Sequence, residues 1–332
     1  MKEPDFWRQD GGLLAKLLSP LGWVYGMASQ TRFNLKKPWK APIPVLCIGN
    51  LVSGGAGKTP VALSLGARLN ATMGPVHFLT RGYGGNAPGP LLVDLENHTS
   101  SLVGDEALLL AEQAPTWVSA NRKAGAHMAA EAGAKVIIMD DGFQNPGLAK
   151  DVSLLVIDGG YGFGNGRVIP AGPLREPLAE GLARADALVM IGEDETGALD
   201  GLGRDIPPVL KARVIPGPEA AGVKDKDVVA FAGIGIPEKF FDSLRAIGCR
   251  LVAAHLFPDH YPYEDEDLDR LRAQAKVTDS VLVTTAKDLA RMSEHQRDGI
   301  EVLTIDMEWD DETALEAILE PLKAHPLKDH GG

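Results

Sequence analysis

From residue 43 onward, short apolar runs alternate with longer stretches of helical spacing. The runs at 44–48, 76–79, 135–139, 153–157 and 187–191 are nearly continuous in apolar residues, and helical periodicity follows them. Such runs predict parallel strands buried on both faces, with helices as crossovers. Residues 193–227 interrupt the alternation with Gly, charge and Pro207, Pro208, Pro216 and Pro218, and read as a boundary. Further runs at 228–232 and 280–284 predict a second, smaller α/β unit. Upstream, Leu14, Leu17, Leu18, Leu21 and Tyr25 fall on one face of a helix. Three segments are therefore expected: an N-terminal amphipathic helical segment over 1–40, a core domain over 41–222, and a C-terminal α/β domain over 223–332.

Composition narrows the class. The 332 residues are 45% hydrophobic and 23% charged, which excludes disorder or coiled coil as the main character. Two cysteines, Cys47 and Cys249, are too few for a disulfide framework or a Cys-rich zinc site and point to a reducing compartment. A net charge of −12 argues against general nucleic-acid binding, and no obligate protein partner is evident. The charge is unevenly spread. Between Asp10 and Asp94 there is no acid, whereas Lys16, Arg32, Lys36, Lys37, Lys40, Lys58, Arg68 and Arg81 lie there. A basic stretch in an acidic chain suggests an anionic ligand or an anionic surface.

The first residues include Glu3 and Asp5 and lack the basic start of a signal peptide. Lys16, Ser19 and Pro20 interrupt the apolar run, so no spanning helix is expected. Trp7 and Trp23 flank the leucine stripe, and Arg32, Lys36, Lys37 and Lys40 follow it, the composition of a helix lying on a bilayer. A helix covering the core would carry the same stripe.

The strongest chemical signal runs from Gly49 to Pro60: GNLVSGGAGKTP, after an apolar strand and before a helical pattern. In a phosphate loop, glycines such as Gly54, Gly55 and Gly57, with Ala56 between them, let backbone N–H groups turn toward phosphate oxygens. Lys58 neutralises the terminal phosphates and the Thr59 hydroxyl reaches Mg²⁺. Val52 stands where the general pattern has its first glycine. The run 134–144 supplies a second strand ending in Asp140 and Asp141, an arrangement that positions a metal ion or its water. Gly104-Asp105-Glu106 opens a third helix. Two acids there also suit the helix dipole, and their catalytic reading is a general base beside a metal carboxylate.

With these motifs in order, the chain resembles the tetraacyldisaccharide 4'-kinases, enzymes of lipid A synthesis that phosphorylate a disaccharide precursor. The resemblance spans essentially the whole chain. It rests on Pro20–Tyr25, Gly49-Asn50, Gly54–Pro60, Thr80–Gly84, Val103–Glu106, Asn121-Arg122, Asp140–Gln144, Pro170–Pro177, Phe257–Tyr261 and Thr284–Asp288. It implies a P-loop NTPase-like parallel sheet, with ATP and Mg²⁺ as cofactors and a lipid disaccharide 1-phosphate as acceptor. The implied location is peripheral, on the cytoplasmic face of an inner membrane with its anionic surface. It further implies Asp105 as the base for the sugar hydroxyl in a dyad with His260, with Glu106, Asp140 and Asp141 serving the metal. Arg81, Tyr83, Asn121, Arg122, Gln144 and Arg175 are carried over as substrate contacts, Lys287 and Asp288 as nucleotide-side residues. Two positions depart from the family pattern: Asn145-Pro146 replaces His-Arg, and Ala286 replaces Glu. A phosphate-loop switch protein is the competing class, and the Asn-Lys-x-Asp motif of a GTPase is absent from the sequence.

Overall fold

The computed structural model describes residues 4–8, 12–203 and 206–325; Glu3 and Asp10 lie outside them. Every apolar run named above forms a strand. In chain order the strands are β1 (Val45–Gly49), β2 (Val76–Thr80), β3 (Leu91–Leu92), β4 (Thr116–Val118), β5 (Val136–Asp140), β6 (Val152–Asp158), β7 (Ala187–Ile191), β8 (Val209–Pro216), β9 (Asp227–Ala232), β10 (Arg250–Leu256), β11 (Val281–Thr285), β12 (Glu301–Leu303) and β13 (Ile305–Trp309). Nine of them form one sheet in the order β13-β8-β7-β6-β1-β5-β2-β4-β3, and four form a second in the order β10-β9-β11-β12. The large sheet is parallel from β8 to β4, with the antiparallel strands β13 and β3 at its edges. The small sheet is wholly parallel.

The helices are α1 (Leu13–Leu35), α2 (Lys58–Met73), α3 (Ser100–Val103), α4 (Asp105–Ala111), α5 (Arg122–Glu131), α6 (Leu178–Leu182), α7 (Ala220–Val223), α8 (Pro237–Ala246), α9 (Asp265–Val277), α10 (Ala286–Leu289) and α11 (Glu312–Lys323). Val61, Leu65 and Leu69 of α2 and Leu315, Leu319 and Leu322 of α11 cover one face of the large sheet. Ala126 and Ala129 of α5, with Leu51 and Phe143, cover the other. Phe240, Phe241 and Leu244 of α8 pack on one side of the small sheet, and Leu268 and Leu271 of α9 on the other. Burying each Val, Leu or Phe among them contributes about 1.5–3 kcal/mol before conformational entropy is subtracted.

Two expected boundaries look different in three dimensions. Segment 193–227 contains β8, whose flanking prolines frame a strand; Val209–Pro216 pairs with β7 on one side and β13 on the other. Segment 223–332 divides between the two sheets. Strands β9 to β12 build the small one, then β13 and α11 return to the large one because Met307, Trp309, Leu315 and Leu319 complete its core. The small unit is thus an insertion between β8 and the antiparallel edge strand β13.

Helix α1 faces outward with its leucines. Its buried residues are Ala15, Gly22 and Gly26, of which the two glycines pack closely over Val168, Ala171 and Pro177, whereas Leu14, Leu17, Leu21, Trp23 and Tyr25 are exposed. The helix clings by its small-residue face and leaves its apolar stripe in solvent.

Candidate active site

Parallel strands deliver their carboxyl ends to one edge, where the following loops gather, the usual place for a ligand in such a sheet. After β1, residues 50–57 turn back over the start of α2. Gly57 caps that helix with φ +78°, and a side chain there would strike Ile191 at 2.5 Å, so glycine is required. Val52 is buried in a bridge with Leu174, while Ser53 N–H donates to Pro173 O (2.8 Å) and Arg175 N–H to Leu51 O (2.7 Å). Segment 173–175 therefore props the loop by strand-like pairing, a structural use for the residue that replaces the first glycine. Lys58 Nζ donates to Asn50 Oδ1 (3.3 Å) and lies 3.6 Å from Asp141 Oδ1.

Across from the loop, the end of β5 presents two carboxylates in different states. Asp140 is fully buried and accepts from Thr59 Oγ1 (3.1 Å), while its Oδ1 has no partner among the described residues. Burial pushes its pKa up to about 6; the Lys58 charge opposes this, and Asp141 and Glu106 reinforce it. Asp141 adopts φ +53°, a strained backbone for a residue with a side chain. Burial raises its proton affinity as well, but Lys58 and Arg175 outweigh that and hold it below the usual carboxylate range. Its Oδ1 accepts from Arg175 Nη1 at 2.9 Å. Gln144 Nε2 donates to Asn50 O (2.9 Å) and Glu176 Oε1 (3.0 Å), tying this turn to the loop.

The acid pair at the start of α4 meets the small unit. Gly104, with φ +87°, caps α4, and a Cβ there would lie 2.4 Å from Tyr83 O. Asp105 Oδ2 meets His260 Nδ1 at 2.6 Å and accepts from Arg291 Nε at 2.7 Å. Burial raises the Asp105 proton affinity, but these partners more than offset it and leave the carboxyl below its ordinary range. Glu106 Oε1 pairs with Lys287 Nζ at 2.9 Å, and its buried Oε2 has no partner among the described residues. Apolar contact supports the junction, where Ala290 packs with Val103, Ala107 and Leu108. Asp105 and His260 thus join from opposite units, 155 positions apart.

A glycine-rich loop ending in Lys58 and Thr59, beside buried carboxylates and an acid clasped from a second unit, is an arrangement that suits phosphoryl transfer. Comparison with known proteins agrees. The family model for tetraacyldisaccharide-1-P 4'-kinase matches residues 14–323. The chain belongs to this family. The tetraacyldisaccharide 4'-kinase of Paramagnetospirillum magneticum is 53% identical over 93% of this chain and 95% of its own length, and that of Rhodospirillum centenum is 50% identical over 100% and 99%. The crystal structure of "apo" form LpxK from Aquifex aeolicus in complex with ATP superposes with a TM-score of 0.75, at 27% identity, over 93% of this chain and 99% of that one.

In this kinase the remaining candidates scatter. Arg81 and Tyr83 are exposed, and Tyr83 lies beside the acid pair with its ring 6.5 Å from His260. Asn121 caps α5 through Ala124 N–H, a structural use of its carbonyl. Arg122 is buried, donates to Ser119 O, and has a pKa lowered by burial to about 10, with the Asp141 charge opposing the fall. Asp288 is wholly buried with both oxygens engaged, by Gly233 N–H, Tyr263 and Arg291 on one and Thr285 on the other. These contacts tie it into the small unit. Asn145 closes a turn on Gly147 N–H and, with Pro146, Phe33, Lys150 and Arg184, lines a separate cleft of about 180 Å³. Arg291 escaped the sequence reading. Its signal was its i, i+3 spacing from Asp288 on one helical turn.

Proposed function

We propose that the chain transfers the γ-phosphate of ATP to the 4'-hydroxyl of a tetraacylated glucosamine disaccharide 1-phosphate, the acceptor named for its relatives. The observation that carries this is the joining of Asp105 to His260 across the two units, next to the loop that ends in Lys58 and Thr59. In the transfer, the acceptor O–H gives its proton to the Asp105 carboxylate and its electron pair attacks the γ-phosphorus. The bond to the ADP oxygen breaks, and the charge leaves with ADP. His260 orients Asp105 through the contact of its Nδ1 with Oδ2. The loop N–H groups and Lys58 hold the phosphates in line.

The residues present fit a divalent ion. Asp140 Oδ1 and Glu106 Oε2 are buried carboxylate oxygens without partners, and the Thr59 hydroxyl adjoins Asp140. Among the described residues no three His, Cys, Asp or Glu side chains form a ready cage, which suits Mg²⁺, an ion that takes one or two carboxylates plus phosphate oxygens. Bound there, it would neutralise charge on the phosphates. Asp141, already held by Arg175 and Lys58, orders the site around it.

Membrane attachment through α1 completes the reading. No helix among the described residues is long and apolar enough to cross a membrane. The outward leucines and Trp23, followed by Lys36, Lys37 and Lys40, suit an interfacial position on an anionic bilayer, where the acceptor's acyl chains reside. The test of function is transfer of label from γ-labelled ATP to the purified disaccharide in mixed micelles. Acceptor-dependent label in the lipid supports the reading; steady phosphate release that ignores the acceptor overturns it in favour of a switch protein.

A further inference from the structure

We infer that Arg291 is a positioning residue for the transfer, fixing the Asp105 carboxylate so that Oδ1 is the oxygen offered to the acceptor hydroxyl; this rests on Asp105 being the proton acceptor proposed above. Arg291 follows α10, and its side chain is only 2% exposed. Nε donates to Asp105 Oδ2 (2.7 Å), and Nη1 donates to Gly233 O (2.8 Å) and Asp288 Oδ1 (2.9 Å). Asp288 is itself immobilised by Gly233 N–H (3.0 Å), Tyr263 Oη (2.9 Å) and Thr285 Oγ1 (2.7 Å). The small unit holds this planar group at Nη1 through two acceptors, Gly233 O and Asp288 Oδ1, which sets the direction of the third bond, from Nε to Asp105.

The consequence falls on Asp105. His260 Nδ1 and Arg291 Nε both reach Oδ2, and no hydrogen bond to Oδ1 exists among the described residues. Two donors from the far side of the cleft therefore fix the rotation of the carboxyl group and leave one oxygen for chemistry. Placement of this kind matters because an error of about 1 Å in a reacting group costs roughly a hundredfold in rate. Arg291 Nη2 is buried without a partner among the described residues. An orphaned donor on a buried arginine is costly, and such costs concentrate where function demands a geometry. Four positions earlier, Lys287 meets the adjacent Glu106, so α10 and the turn after it present one cation to each member of the acid pair.

The experiment compares the full chain with Arg291→Met, Arg291→Lys and Arg291→Ala, alone and on Asp105→Asn, using ATP and disaccharide in mixed micelles with thermal melts alongside. Arg291→Met is expected to lower kcat by roughly 10²-fold with the KM for ATP moved less than about threefold. Arg291→Lys keeps the cation and the fold but cannot span all three acceptors, so its kcat should fall by about tenfold at an unchanged melting temperature. Methylguanidinium should restore kcat to Arg291→Ala and not to Asp105→Asn. Adding Arg291→Met to Asp105→Asn should cost little more, since residues acting as one unit are non-additive. Wild-type kcat in folded Arg291→Lys, or multiplicative losses on Asp105→Asn, would overturn the inference. A wild-type chain that transfers no label to the lipid would instead remove the functional reading itself.

Discussion

At the scale of single residues, Asp140 shows how a site stores cost for later use. Its folded pKa of about 6 lies above the ordinary value of 3.8, because burial disfavours the charged form more than Lys58 favours it. The folded state therefore holds that proton more tightly than the unfolded chain does. The stabilisation is fully present below about pH 4 and is lost as pH rises through about 6. Above that window the ligand-free protein carries a buried charge whose Oδ1 is unpartnered. Asp140→Asn removes the charge while still accepting from Thr59. The ligand-free variant should thus be more stable than wild type by about 1–3 kcal/mol at pH 8, with the advantage gone near pH 4 and turnover severely reduced. Denaturant melts across that range are the check, and a variant less stable than wild type at pH 8 would show that the charge is already compensated. Some of this was legible beforehand: an apolar strand ending in Asp-Asp-Gly announces two acids at the carboxyl edge of a parallel sheet. Which of Asp140 and Asp141 is the unpaired one was not, because Arg175 reaches Asp141 from 34 positions away.

At the scale of elements, legibility followed burial. Strands β1, β2, β5, β6 and β7 are covered on both faces and read as continuous apolar runs. Strand β4 has three residues, and β10, at the edge of the small sheet, exposes alternate positions, so neither gives such a run. Strand β8 was hidden by its prolines, and β13 by its partner's distance along the chain. Helix α1 is the informative case, since its periodicity was plain while its direction was not. Gly22 and Gly26 decide it, because they let the helix lie close on Val168 and Pro177 and turn its leucines outward. Leu17 (67% exposed) and Leu21 (59%) touch mostly solvent. Leu17→Ser and Leu21→Ser should therefore leave the melting temperature within about 2 °C of wild type. Each should weaken sedimentation with anionic vesicles by roughly tenfold, for the loss of about 1.5 kcal/mol of apolar burial, and added salt should weaken binding further. Unchanged vesicle binding in the double variant would detach α1 from the membrane.

At the scale of the whole molecule, the chemistry sits on contacts between two units joined only through β8 and β13. Gly217 N–H bonds Thr304 O where the chain leaves and re-enters the large sheet, so the small unit hangs from one paired crossing. Besides Asp105 with His260 and Arg291, the units meet through Glu106–Lys287 and Asp158–Lys239. With Asp105 as the base proposed above, docking of the small unit would also assemble the base. A general base is typically worth about 10²–10⁴ in rate, so Asp105→Ala should lose roughly that much kcat with nucleotide affinity near wild type. His260→Ala should lose a similar or smaller factor, and the double variant should be little worse than Asp105→Ala. Lys239→Met separates docking from chemistry. It cuts a crossing contact whose lysine is mostly exposed, so it should cost less than about 1 kcal/mol of stability and leave kcat within about threefold. If Lys239→Met instead matched His260→Ala in kcat, His260 would be a docking contact and not a partner of the base. Strictly multiplicative losses for Asp105 and His260 would likewise break the dyad, leaving Asp105 on the metal side and the imidazole as an independent contact.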